Sequence, residues 1–68
     1  MYYRATCTKG KAEGIQGLNA STFDGARTNL YNAVIDEGFD FSDVEDYEVY
    51  SFRMDATKLA EFIHYSIL

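Results

Sequence analysis

The sequence predicts an α+β fold of element order ββαβα. Its sheet is three-stranded and mainly antiparallel, of order 2-1-3, with two helices packed on one face. Three observations lead there. Residues 2–8 and 47–53 are rich in aromatic and β-branched side chains that alternate with a period of two. Between them, Phe23, Ala26, Leu30, Ala33 and Val34 recur at the spacing of one helical face. A second stripe of that kind, Leu59, Phe62, Ile63 and Ile67, follows the last strand.

The first strand, Tyr2 to Thr8, places Tyr3, Ala5 and Cys7 on one side and Tyr2, Arg4, Thr6 and Thr8 on the other. Lys9-Gly10-Lys11 is a turn, because Gly10 tolerates the positive φ that tight turns demand. A second strand is expected from Ala12 to Asn19, weakened by Gly14 and Gly17. Ser21 is the expected N-cap of the first helix, with Asp24 in its first turn and Gly38 in the C′ position. Gly25 and several Asn and Thr residues lower its propensity, so packing has to hold it. Phe39 to Asp46 reads as a loop and Tyr47 to Arg53 as the third strand. Tyr47, Val49 and Ser51 share one face, opposite Glu48, Tyr50 and Phe52. Asp55 caps the second helix. A right-handed crossover through the first helix brings strand three beside strand one. The 68 residues make one domain, 1–68.

Composition narrows the class. With 47% hydrophobic and 16% aromatic residues the chain has core material that disordered sequences lack. One cysteine, Cys7, excludes an internal disulfide and fits a reducing compartment, so the expected location is cytoplasmic. No apolar run is long enough to span a membrane, and the first residues carry no signal-peptide h-region. A catalytic role is not expected. The chain has one histidine, His64, and one cysteine, with no CxxC, no HExxH and no phosphate-binding glycine motif. No cofactor or metal is expected.

Charge distribution is more informative than its total of −5. Asp36, Glu37, Asp40, Asp43, Glu45, Asp46 and Glu48 lie in one stretch with no base among them. Asp36 and Glu37 fall at a helix C-terminus, where the macrodipole disfavours anions. Phe39, Phe41 and Tyr50 are interleaved with or adjacent to these acids and offer apolar anchors beside charge. An EF-hand is excluded, because counting from Asp36 puts Gly38 at position 3, Phe41 at position 6 and Tyr47 at position 12. The expected partner is therefore a protein surface rich in Arg and Lys, and the alternative is a solvated acidic face with Phe39 and Phe41 plugging the helix-to-strand corner. Direct nucleic-acid binding is not expected of so acidic a chain, although Arg4 and Arg53, if neighbours beside Tyr2 and Tyr50, would imitate an RNA-binding sheet. Tyr65 and Leu68 could add a homodimer patch, giving a structural or assembly subunit as the second function class.

These residues also carry a resemblance. Asn19-Ala20-Ser21-Thr22-Phe23-Asp24 leads into a helix at Ala26-Arg27, and the acidic Asp36 to Glu48 stretch runs into Tyr47-Glu48-Val49-Tyr50. In these features and in length the chain resembles the small acidic inhibitors that phages and mobile elements direct against host defences, the anti-CRISPR and DNA-mimicking antirestriction proteins. The resemblance covers about half of the chain. It implies a stoichiometric inhibitor, acting in a host cytoplasm by partial nucleic-acid mimicry. A CRISPR effector complex or a restriction enzyme would be its partner.

Overall fold

A computed structural model of the chain describes residues 1–53. They form strand β1 (Tyr2–Lys9), helix α1 (Phe23–Asp36), a short 3-10 turn (Phe41–Asp43) and strand β2 (Asp46–Phe52). The predicted three-stranded sheet with two helices is thereby corrected: the described residues hold a two-stranded sheet, order β1-β2, and one α-helix. The expected second helix, with Asp55, Leu59, Phe62, Ile63 and Ile67, lies outside the described residues, as do His64, Tyr65 and Leu68.

The expected strand from Ala12 to Asn19 does not form, for a traceable reason. Residues 14–20 do run beside β1. The Cys7 N–H donates to Ile15 O at 2.9 Å, Gly17 N–H to Ala5 O at 3.0 Å and Ala20 N–H to Tyr3 O at 2.9 Å. However, Thr6 faces Gln16 while Tyr3 faces Ala20, so three steps along β1 are matched by four in the segment. The extra residue breaks the ladder into two isolated bridges. Gly17 belongs to the same distortion, because a Cβ there would overlap the backbone of Asn29 and Leu30 in α1. The segment is pressed onto the helix, and Asn29 Nδ2 fastens it by donating to Leu18 O at 3.1 Å.

β1 and β2 pair antiparallel from Tyr2↔Phe52 to Cys7↔Tyr47, and Lys9↔Asp46 follows after an irregularity at Thr8. This register sorts side chains as the alternation requires. Tyr3, Ala5 and Cys7 share the inner face with Ser51, Val49 and Tyr47, whereas Tyr2, Arg4 and Thr6 oppose Phe52, Tyr50 and Glu48 on the outer face. Arg4 thus lies opposite Tyr50 and not beside Arg53, which follows the last residue of β2.

α1 covers the inner face. Ala26, Leu30 and Val34, spaced four apart, are fully buried with Ala5, Cys7 and Ala12. Tyr3, Ile15, Ala20, Phe39, Val44, Tyr47 and Val49 pack around them. The buried stripe is narrower than the sequence predicts, since Phe23 is 51% exposed. The N-cap is Thr22 and not Ser21: Thr22 Oγ1 accepts from the Gly25 N–H at 3.0 Å. At the other end Gly38 takes φ +88° in the C′ position, as the sequence predicts. There the Phe39 N–H reaches Val34 O at 3.0 Å and the Gly38 N–H reaches Ile35 O at 2.9 Å.

Candidate acidic interface

The ten residues that the sequence singles out separate into three groups. Asp36, Glu37, Asp40, Phe41, Asp43, Glu45 and Asp46 lie on the stretch that joins the end of α1 to the start of β2. Glu48 and Tyr50 lie on the outer face of β2. Phe39 is half-buried and packs against the core, so it plugs the corner between helix and strand and is no exposed anchor.

Within the first group the carboxylates do different work. Asp40 and Asp43 form a capping box around the 3-10 turn. Asp40 Oδ1 accepts from the Phe41 N–H at 2.8 Å and its Oδ2 from Ser42 Oγ at 3.1 Å, while Asp43 Oδ2 accepts from the Asp40 N–H at 3.0 Å. Asp46 Oδ1 accepts from the Tyr47 N–H at 2.9 Å, which leaves its second oxygen free of such a local task. Asp36, Glu37 and Glu45 are exposed, and their carboxylates have no hydrogen-bond or ion-pair partner among the described residues. The helix end holding Asp36 and Glu37 has no basic residue in its last turn.

The acidic stretch is not isolated from positive charge in space. The turn after β1 is sewn to it: the Glu45 N–H donates to Lys9 O at 2.9 Å, and the Ala12 N–H to Asp43 O at 3.2 Å. Gly10 makes this approach possible, with φ +110° and no side chain to strike the Asp43 carbonyl. Exposed Lys9 therefore stands opposite Asp46, with Lys11 near the same end. The sequence hides this, because 37 positions separate Lys9 from Asp46.

Two aromatic arrangements were also not legible in the sequence. Tyr31 meets the 57%-exposed Phe41 edge-on at 5.3 Å and Tyr47 at 6.3 Å, linking the acidic end to the rim of the core. On the outer face Tyr2 stacks on Phe52 at 6.4 Å, and the Arg4 guanidinium lies 5.7 Å from the Phe52 ring centre. Tyr50 donates its hydroxyl to Glu48 Oε2 at 2.6 Å. That bond, with the charge of Glu48, pushes the Tyr50 phenol above its ordinary value, and Arg4 opposes the shift.

Cys7 is buried and donates its Sγ–H to Lys9 O at 3.2 Å. Among the described residues no three His, Cys, Asp or Glu side chains come together as a metal site. Among them, too, no helix is long and apolar enough to cross a membrane.

Among the described residues, fold and site define a small α+β layer: one helix on one face of a two-stranded antiparallel sheet, with a carboxylate-rich connection at one end. A scan against family models, a search of curated proteins and a search of solved structures each find no match to this chain.

Proposed function

We propose that this protein is a non-catalytic acidic inhibitor whose carboxylate-rich end occupies a basic, nucleic-acid-binding surface of another protein. By the resemblance of its sequence, the partner is a host defence complex such as a CRISPR effector or a restriction enzyme, met in the cytoplasm. The observation that carries this reading is the state of Asp36, Glu37 and Glu45. They are exposed and serve no local hydrogen bond, and two of them sit where a helix dipole disfavours them. Cationic side chains of a partner would relieve that repulsion, as carboxylates standing in for phosphates. Phe41 adds an exposed aromatic in the same connection. Asp40 and Asp43 present one charge each but are held by their capping duties, so they take part as fixed groups.

The test is retention of partners on the immobilised full chain from a bacterial lysate at about 0.1 M and then about 0.5 M salt, ionic strengths that change screening strongly. Wild type is compared with the triple variant Asp36→Asn, Glu37→Gln, Glu45→Gln. The expected result is a nucleic-acid-processing complex held at low salt, released at high salt and displaced by added nucleic acid, with retention about tenfold weaker for the triple variant. Equal retention by the variant would reduce the acidic end to a solvated face.

A further inference from the structure

Among the described residues β2 is the outermost strand of the sheet, and one of its edges is open. The hydrogen bonds of β1 show which groups lie there. Tyr3 exchanges backbone bonds with Ala20 at 2.8 and 2.9 Å, the Cys7 N–H donates to Ile15 O, and the Gly17 N–H donates to Ala5 O. Tyr3, Ala5 and Cys7 therefore turn their backbone groups away from β2. By alternation Tyr2, Arg4 and Thr6 bond Phe52, Tyr50 and Glu48, so Tyr47, Val49 and Ser51 turn theirs outward. The Tyr47 N–H is taken up by Asp46 Oδ1 at 2.9 Å. Val49 and Ser51 each keep a donor and an acceptor with no partner among the described residues. Natural edges are closed by Pro, Lys or a bulge. Asp46–Phe52 has neither Pro nor Lys, and the irregularity of the sheet falls in β1 at Thr8. α1 lies mainly over β1, away from this edge.

We infer that this edge pairs antiparallel with the same edge of a second copy of the chain, across a two-fold axis at Tyr50. A two-fold contact must complement itself, and this one does. Val49 of each copy faces Ser51 of the other, and the two pairs join their open groups in four hydrogen bonds. Tyr50 meets Tyr50, and Glu48 meets Phe52 instead of another acid. Charge decides the occupant. Glu45, Asp46 and Glu48 crowd one end of β2 and Arg53 follows the other, so reversing the strand lays base beside acid. Arg53 falls diagonal to Glu45 of the second copy, about 7–8 Å away and within reach of long side chains. The two-stranded sheet becomes four-stranded, β1-β2-β2-β1, past the size at which a sheet is marginal.

The experiment is sedimentation and hydrogen exchange on the full chain from about 5 µM to about 1 mM, a range over which mass action moves a weak dimer. The mass is expected to rise from monomer to dimer, and the Val49 and Ser51 amides to exchange about tenfold more slowly at the upper end. Ser51→Pro removes an outward donor from each copy while sparing the bonds to β1, and should return the chain to monomer. Arg53→Glu should weaken the dimer, and Arg53→Glu with Glu45→Arg should restore it. Salt at about 0.5 M screens the repulsion between two chains of net charge −5 and leaves the dimer intact. It releases a partner held by the acidic end, so the two proposals fail separately. A monomer at every concentration with fast-exchanging Val49 and Ser51 amides would overturn the inference in favour of an open edge. A monomer with both amides protected throughout would overturn it in favour of an edge closed within the chain. A dimer that survives Ser51→Pro would overturn it by placing the contact elsewhere.

Discussion

Tyr50 and Glu48 sit two residues apart on one strand face, close enough for the phenol to donate to the carboxylate at 2.6 Å. The hydrogen bond holds the proton, and the neighbouring negative charge opposes the phenolate, so the pKa rises from 10.0. A raised pKa means that the folded state favours the protonated phenol. The stabilisation is complete below the ordinary tyrosine value and is lost as pH climbs through the raised one. Tyr50 should therefore ionise late. The phenolate absorbance difference between wild type and Tyr50→Phe measures it, and Glu48→Gln should move the transition back to lower pH. An unchanged midpoint in Glu48→Gln would show that the pair does not persist in solution. The alternation that puts Glu48 and Tyr50 on one face is legible in sequence, because a strand's period of two is a local rule. The roles of Asp40 and Asp43 are legible as well, in hindsight: Asp40-Phe41-Ser42-Asp43 has the spacing of a capping box. Grouping them with the other acids as one charge cluster obscured that signal.

Among the elements, α1 shows how a correct assignment can still miss its boundary. Ser21 and Thr22 both carry a hydroxyl suited to an N-cap, and composition does not choose between them. Geometry does, since Thr22 lies three residues before the Gly25 N–H that it binds. Thr22→Ala should cost about 1 kcal/mol of stability, read from a denaturant or thermal melt, whereas Ser21→Ala should stay within about 0.5 kcal/mol. The reverse order would restore Ser21 as the cap. Residues 12–19 show a different failure of local reading. Their sequence supports extended backbone, and residues 15–19 do run beside β1, but residues 12–14 form a turn and a one-residue slip between Gln16 and Ala20 prevents a ladder. That slip follows from packing on Asn29 and Leu30, residues some ten positions away, and no window on residues 12–19 contains it.

For the whole molecule, stability and the proposed binding pull the same two residues in opposite directions. Removing the charges of Asp36 and Glu37 takes anions away from a helix C-terminus, which should raise stability by about 0.3–1 kcal/mol at low salt. In a domain of this size that corresponds to a melting temperature higher by a few degrees, about 2–6 °C. The double variant Asp36→Asn, Glu37→Gln should therefore melt later while binding its partner less well. A variant that melts at the wild-type temperature would mean that the dipole is already screened. The candidate site was legible as a sequence run, yet its three-dimensional charge was not, because Lys9 meets Asp46 only through the sheet. The same long-range pairing bears on how the chain comes off the ribosome. β1 lies between the 14–20 segment and β2, and its first pair joins Tyr2 to Phe52. Tyr2 thus waits for a partner made 50 positions later in the chain. Translation at about 5–20 residues per second keeps it waiting for seconds. β1 therefore emerges with one edge unsatisfied, and the cell's handling of nascent chains bears on this protein before its own fold does.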